Sequence, residues 1–217
     1  MRRENNVKYK GIIFDLDGVI CSTDEYHYLA WQALASRLDI PFDRERNNLL
    51  RGVSRMESLE IILEKAERAY TQDEKLAFAQ EKNERYRELL KQMSEKDLTD
   101  EVRNTLHALK AKGLQLAIGS SSKNTPFILE RIGLDKFFMG VSDGNCITHS
   151  KPHPEVFLKA ADMLKLKPEE CLVVEDAHAG VEAAAAGGFD CAAMGDARDD
   201  QRAQWHLKRF SDLLGII

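Results

Sequence analysis

The 217-residue sequence contains no run of about eighteen apolar residues, so it predicts no membrane-spanning helix. It also lacks an excess of basic residues, because 31 lysines and arginines are outnumbered by 36 aspartates and glutamates, for a formal net charge of −5. Proteins that bind nucleic acid carry a basic field, so this balance disfavours that class. A phosphorylated small molecule is not excluded, since a local cluster of donors can bind one in a weakly acidic protein.

Cysteine is scarce as well. The four cysteines, Cys21, Cys146, Cys171 and Cys191, lie far apart and form no CxxC pair. Their spacing gives no support for a cysteine-based zinc site or for paired disulfides, so we expect reduced thiols. The segment MRRENNVKYK is charged, and the apolar stretch after it soon meets Asp15, so we expect no secretory signal peptide. Together these features predict a cytoplasmic protein.

The pattern of apolar residues divides the chain into two parts. Residues 10–16 predict a buried strand, and the tract that follows predicts helices over 24–38, 54–69 and 72–93, with Ser54 and Glu57 spaced as a capping box. After residue 96, helices and strands alternate, as they do in a parallel sheet with helices on both faces. The elements predicted there are helices 99–112, 124–132, 153–164 and 179–187 and strands 114–119, 137–142, 171–175 and 190–194. We therefore expect a Rossmann-like α/β core over 1–22 and 96–217, with an inserted α-helical cap domain over 23–95.

Two acidic pairs follow strands of this predicted sheet. Asp15 and Asp17 start from the same side of the backbone at the end of the first strand, and Gly18 permits a tight turn after them. Glu175-Asp176 ends strand 171–175. Each pair alone is compatible with a capped turn or with a charge at a helix N-terminus. Because four acids at one sheet edge repel each other strongly, the two pairs together favour a Mg²⁺ site.

Two further motifs suit the binding of an anion. The run Ser120-Ser121-Ser122-Lys123-Asn124 follows strand 114–119 and begins a helix, where hydroxyls and backbone N–H groups can bind phosphate. Lys151, before Pro152, could bridge acids or bind phosphate from the interior. The simpler interpretations, a loop with a helix cap and a surface lysine, remain open at this level.

These motifs resemble the haloacid dehalogenase superfamily, in which they occur in the same order. The resemblance extends over nearly the whole chain, and the tract around His27 and Trp31 narrows it to mutases of the sugar-phosphate branch. The segments that carry it are FDLDGVI at 14–20, TDEYHYLAW at 23–31, RGVSRMES at 51–58, GSSSKN at 119–124, SKPHPEVF at 150–157 and VVEDAHAGVEAA at 173–184.

The resemblance implies roles for the core residues. Asp15 would be the nucleophile that forms an aspartyl phosphate, and Asp17 the general acid and base. Mg²⁺ would be held by the Asp15 side chain, the Asp17 backbone carbonyl and Asp176, with Glu175 as a ligand or directly behind the ligands. The transferring phosphoryl group would be bound by Ser120 and Lys151.

The resemblance also implies a distal phosphate site and a sugar pocket. Arg55 would hold the phosphate that is not transferred, and His27 would orient Asp17 or couple cap closure to sugar binding. The substrate-binding set is Thr23, His27, Trp31, Gly52, Val53, Ser54, Arg55, Ser58, Lys82, Ser121, Ser122, Lys123 and Asn124. For three of these residues an ordinary structural role is the alternative to substrate binding. His27 could be a helix histidine without a function, Trp31 could pack between helices, and Lys82 could lie on a solvated helix face.

The implied activity is the interconversion of β-D-glucose 1-phosphate and glucose 6-phosphate through β-D-glucose 1,6-bisphosphate. A mutase needs two phosphate sites, because its bisphosphate must bind in both orientations, whereas a phosphatase needs one. A sugar-phosphate phosphatase and a non-catalytic binding protein are the alternatives. We expect a monomer whose partner is a small sugar phosphate, with hinges near 22–23 and 94–97. Cys21 and His178 depart from the usual pattern, and the sequence assigns them no role.

Overall fold

The computed structural model describes residues 8–50 and 53–217, and its centre is a parallel sheet. Six strands pair in the order β3-β2-β1-β4-β5-β6, and each adjacent pair is parallel. The strands are β1 (Gly11–Phe14), β2 (Gln115–Gly119), β3 (Gly140–Ser142), β4 (Cys171–Glu175), β5 (Asp190–Ala193) and β6 (Trp205–His206). This arrangement confirms the predicted α/β fold class.

Helices accompany the sheet and fill the long segment after β1. They are α1 (Asp24–Arg37), α2 (Arg44–Asn48), α3 (Arg55–Leu63), α4 (Gln72–Leu90), α5 (Asp100–Ala111), α6 (Thr125–Arg131), α7 (Glu155–Leu164) and α8 (His178–Ala186). Short 3₁₀ helices lie at Glu95–Asp97, Pro168–Glu170, Gly195–Ala197 and Phe210–Gly215. In the part of the chain that the structure describes, no helix is both long and apolar enough to cross a membrane.

Both faces of the sheet are buried, which explains the continuous apolar runs in its strands. Side chains of a strand alternate between the two faces. Ile12 and Phe14 therefore pack into one apolar cluster with α5 residues such as Leu106, whereas Ile13 packs into the other with α7 residues such as Phe157. This two-sided burial fixes the register of β1 and the position at which its carboxyl end leaves the sheet.

Helices α1, α3 and α4 pack around an apolar cluster that is distinct from the two clusters at the sheet. Trp31, Leu34, Ile62 and Phe78 are buried in it. The capping box predicted at the start of α3 is confirmed, since the Ser54 N–H donates to Glu57 Oε2 at 2.8 Å and the Glu57 N–H donates to Ser54 Oγ at 3.3 Å. This cap fixes where α3 begins, and with it the position of Arg55 as the first helical residue.

The structure corrects the predicted elements in three places. The tract 24–94 was expected to hold three helices, but it also contains α2, whose sequence RERNN has no apolar periodicity and whose cap is Asp43. The second and third predicted helices end early, at Leu63 and Leu90. The two-residue strand β6 was not predicted, because two residues show no alternation. All four cysteines are free, as expected.

Candidate active site

A cavity of about 490 Å³ lies at the carboxyl ends of the central strands, between the sheet and helices α1, α3 and α4. From the sheet side it is lined by residues that follow β1 and β2 and by the end of β4, and from the other side by helical residues such as Trp31 and Lys82. Ligands of open α/β sheets bind in this crevice. The two acidic pairs and the serine run, which lie far apart in sequence, share this one cavity.

Lys151 links two of the acids in the interior. Its Nζ donates to Asp15 Oδ1 and to Glu175 Oε1, each at 2.5 Å, and its side chain is only 1% exposed. Burial raises the pKa of Asp15 to about 7, with Lys151 opposing the rise. Burial disfavours the charged lysine too, but the Asp15 and Glu175 carboxylates outweigh it and raise the pKa of Lys151. A surface position for Lys151 is therefore excluded.

Glu175 uses both of its carboxylate oxygens within the protein. Oε1 accepts from Lys151, and Oε2 accepts from the backbone N–H groups of Asp176 at 2.8 Å and Ala177 at 2.9 Å. Gly180, in the first turn of α8, makes room for it, because a Cβ there would lie 1.8 Å from Glu175 Oε1. The contacts place Glu175 beside Lys151 as its anchor, and its role as a metal ligand stays a prediction.

Asp17 is oriented by the residue that precedes α1. The Thr23 backbone N–H donates to Asp17 Oδ1 and the Thr23 hydroxyl donates to Asp17 Oδ2, both at 2.6 Å. Tyr86, from α4, donates its hydroxyl to Thr23 Oγ1 at 3.0 Å. His27 Nε2 lies 3.9 Å from Asp17 Oδ2. One carboxylate is thus held by groups that come from both α1 and α4.

His27 and the buried Lys82 form a pair on the helical side of the cavity. Lys82 Nζ lies 2.8 Å from His27 Nδ1, 4.5 Å from the centre of the Trp31 ring and 4.6 Å from that of Tyr86. Burial lowers the pKa of His27, and Lys82 and Arg55 lower it further. Burial and Arg55 likewise lower the pKa of Lys82. Lys82 is therefore a cavity residue rather than part of a solvated face, and Trp31 both lines the cavity and packs in the helical core.

The serine run folds as a turn held by its own side chains. Ser120 Oγ accepts from the Ser122 N–H and Ser122 Oγ accepts from the Asn124 N–H, each at 3.2 Å. The Ser121 hydroxyl is buried and forms no hydrogen bond with the described residues. Asn124 reaches across to α4, where its Nδ2 donates to Asn83 Oδ1 at 2.9 Å. The turn thus connects the sheet edge to the helical segment.

The acidic edge fits a hard divalent cation. Burial, together with the Glu175, Asp15 and Asp17 charges, raises the pKa of Asp176 to about 9. Gly18, at φ +86°, brings the turn after Asp17 so close that a Cβ would lie 2.0 Å from Asp176 Oδ2. The donors offered here are all oxygens, which Mg²⁺ prefers, and Lys151 alone does not balance the local negative charge.

Most of the predicted site residues line this one cavity. They are Asp15, Asp17, His27, Trp31, Val53, Ser54, Arg55, Ser58, Lys82, Ser120, Ser121, Ser122, Lys123, Asn124, Lys151, Glu175 and Asp176. Thr23 acts through Asp17 instead, and Gly52 lies outside the described residues. His178 does not join them, because its Nδ1 pairs with Asp200 Oδ2 at 2.7 Å.

Sequence reasoning missed several residues of the cavity wall. Asn83 and Tyr86 follow Lys82 by one and four positions on α4, so helical spacing alone could have indicated Tyr86. Asn47 lies on α2, the helix that was not predicted. Gly144 and Thr148, from the segment after β3, carried no motif.

Comparison with known proteins agrees with this geometry. The family model of the haloacid dehalogenase-like hydrolases matches residues 9–188. A protein of Bacillus subtilis named beta-phosphoglucomutase is 40% identical over 206 residues, covering 94% of this chain and 91% of its own. A phosphorylated carbohydrates phosphatase of Thermotoga maritima is 30% identical over 83% of this chain and 82% of its own. The crystal structure of a beta-phosphoglucomutase from Clostridium difficile has a TM-score of 0.88 at 34% identity and covers 94% of this chain and 93% of that one.

Proposed function

The chain belongs to the haloacid dehalogenase-like hydrolase family, and on that premise we propose that this enzyme interconverts β-D-glucose 1-phosphate and glucose 6-phosphate. The route would pass through an aspartyl phosphate and β-D-glucose 1,6-bisphosphate. Similarity to proteins named beta-phosphoglucomutase supports this proposal over 94% of the chain. Similarity to a phosphatase of phosphorylated carbohydrates supports the same substrate class.

One observation carries the proposal beyond phosphoester hydrolysis: the cavity offers cations at two places. Lys151 is bonded to Asp15 at the sheet edge, while Arg55 and Lys123 line the same cavity from α3 and the serine turn. Arg55 pairs with no carboxylate among the described residues, and burial lowers its pKa. A guanidinium with free donors suits a phosphate. A molecule with phosphates at both ends would therefore find a cation at each end.

The chemistry begins at Asp15. Its carboxylate attacks one phosphorus of the bisphosphate, the bond from that phosphorus to the sugar oxygen breaks, and Asp17 gives the oxygen a proton, which leaves a sugar monophosphate. In the return step Asp17 takes a proton from the free hydroxyl at the other phosphorylation position of a sugar monophosphate. That hydroxyl attacks the aspartyl phosphate, which frees Asp15 and forms the bisphosphate again. Ser120 and Lys151 would bind the phosphoryl oxygens during both transfers, which is stabilisation by fixed charges and donors.

Mg²⁺ would be held by the Asp15 carboxylate, the Asp17 backbone carbonyl and Asp176, with Glu175 as a ligand or directly behind the ligands. It would supply positive charge against the phosphoryl oxygens. Thr23 holds Asp17 in one orientation for its two proton transfers. Asp17 also lies near His27, whose partner Lys82 comes from α4. Movement of the helical segment would therefore change the surroundings of the general acid.

We further propose that residues 23–95 act as a cap over the core of residues 1–22 and 96–217, with hinges near 22–23 and 94–97. The apolar cluster shared by α1, α3 and α4 supports this division, while Tyr86 and Leu90 of α4 pack into the cluster of the sheet. A closed cap would exclude water from the aspartyl phosphate and favour the sugar hydroxyl as acceptor. We also propose a cytoplasmic monomer. The free cysteines fit a reducing compartment, and light scattering tests the monomer.

Phosphorus NMR of the products tests the proposed activity. The protein is incubated with Mg²⁺, β-D-glucose 1-phosphate and a trace of the bisphosphate. Glucose 6-phosphate without free phosphate is the expected product, and Asp15→Asn should form none. Inorganic phosphate as the main product would make the enzyme a sugar-phosphate phosphatase. No turnover, together with a melting shift on adding the sugar phosphate, would make it a binding protein.

A further inference from the structure

Three potential metal ligands lie together on the rim of the cavity, outside the acidic edge. His149, His153 and Glu155 each offer one ligand atom, and the three atoms all lie within 4.8 Å of one another. His149 Nδ1 is 3.3 Å from Glu155 Oε2. The two imidazole rings stand 4.7 Å apart between centres, with 35° between their planes. Small side-chain rotations would bring all three atoms to one ion.

The donor set differs in kind from the acidic edge. Two imidazole nitrogens and one carboxylate are the ligands of catalytic zinc centres of the His₂Glu type and suit borderline divalent ions. The acidic edge offers oxygen alone, which favours Mg²⁺. The absence of a CxxC pair bears only on cysteine-based zinc sites and leaves this arrangement untouched.

Glu155 is already positioned for such a role. Its carboxylate accepts from the backbone N–H groups of Thr148 at 3.1 Å and His149 at 2.8 Å. Its own backbone N–H lies 3.3 Å from His153 Nδ1. These contacts hold the Glu155 carboxylate beside both histidines.

Lys159 is the cation that an incoming metal would have to displace. Its Nζ lies 2.8 Å from Glu155 Oε1, and its side chain is 40% exposed. Because the lysine side chain is long and partly solvated, it can move aside for a divalent ion that has two imidazole ligands. The backbone donors to Glu155 can remain in place.

We propose that His149, His153 and Glu155 form a second metal site, for Zn²⁺ or a similar borderline divalent cation. The site would bridge the segment that carries Lys151, because the two histidines lie two residues before and two residues after it. Thr148 and Ser150, the neighbours of His149, line the cavity. A bound ion would tie both sides of this segment together while leaving Lys151 in contact with Asp15 and Glu175.

Zn²⁺ titration tests the site directly. The metal-stripped protein is held in excess Mg²⁺, to fill the oxygen-based edge, and is titrated with Zn²⁺ against a chromophoric chelator. The double variant His149→Gln/His153→Gln is compared with His107→Gln, an exposed histidine on α5. We expect one Zn²⁺ per chain. The affinity for Zn²⁺ should fall by more than about tenfold in the double variant and stay unchanged in the control. Changing a residue that only supports a metal ligand already lowers metal affinity about tenfold or more, so removing two ligands should have at least this effect.

A measurement on the unmodified protein complements the variants. In proton NMR spectra, Zn²⁺ should shift or broaden the imidazole signals of His149 and His153 and leave that of His107 unchanged. Equal affinity in the double variant would overturn the proposal. So would loss of binding in Cys146→Ser with the histidines intact, because Cys146 is an exposed free thiol and would then be the ligand.

Discussion

Replacing Thr23 with Val isolates the hydrogen bond that orients Asp17. The change keeps the shape of the side chain and the backbone donor but removes the hydroxyl that lies 2.6 Å from Asp17 Oδ2. It also takes an acceptor from Tyr86. A hydrogen bond to a charged group contributes about 1.5–3 kcal/mol. If that energy supports proton transfer by Asp17, kcat should fall about 10- to 150-fold, at about 1.4 kcal/mol per factor of ten.

Two phosphoryl donors separate this effect from general damage to the site. Acetyl phosphate releases acetate, which needs no proton, so phosphorylation of Asp15 from it should proceed at nearly the wild-type rate in Thr23→Val. Phosphoryl transfer to or from a sugar hydroxyl should be slowed by the full factor, and rapid-quench kinetics measures its rate. Thr23→Ser keeps the hydroxyl and should retain most of the activity.

Equal loss with both donors would refute the reasoning, because the substitution would then have disturbed Asp15 or the phosphate site. Wild-type kcat in Thr23→Val would refute it as well. Thermal unfolding monitors the separate cost of leaving the buried Tyr86 hydroxyl without its acceptor, about 1–3 kcal/mol.

Three other predictions concern the charges at the sheet edge. Lys151→Met leaves buried carboxylates unpaired, so urea unfolding at pH 8 should show a loss of about 3–5 kcal/mol, and an unchanged midpoint would contradict the ion pair. Gly180→Ala should lower stability and activity because its Cβ would meet Glu175 Oε1 at 1.8 Å, whereas Gly215→Ala, with no atom within 4 Å, should be neutral in both assays. The pKa of Asp176 is raised to about 9 in the folded metal-free protein. The unfolded chain releases this proton near the ordinary pKa of an aspartate, whereas the folded protein keeps it. The free energy of unfolding should therefore fall as pH rises towards 9. Bound Mg²⁺ should suppress that fall, and its binding should release protons from the protein, which calorimetry in two buffers measures. A pH-independent Mg²⁺ affinity would count against a metal at Asp176.

The positions of the strand-end motifs could be predicted from sequence for a simple reason. In a parallel sheet all carboxyl ends point the same way, so strands β1 and β4 had to bring Asp15 and Glu175 to one edge. Two-sided burial made these strands easy to recognise, as with the continuous run CLVVE. The capping box at Ser54 was equally local and was confirmed.

The partnerships inside the cavity could not be predicted from sequence. The sequence does not show that both Glu175 oxygens accept hydrogen bonds, one from Lys151 and the other from backbone N–H groups. That arrangement depends on the close approach of α8 at Gly180. It also does not show that Lys82 turns inward to His27, since the charged residues of α4 suggested a solvated face. Helix α2 was missed because it is held by a side-chain cap and tertiary contacts rather than by apolar periodicity.

Peptide mass spectrometry after brief incubation with Mg²⁺ and acetyl phosphate tests the central claim most directly. We expect a phosphoryl group on the peptide that contains Asp15, lost in Asp15→Asn and in protein stripped of divalent cations. Phosphate on another residue, or full turnover of sugar phosphate by a protein that carries none, would contradict a nucleophile at this sheet edge.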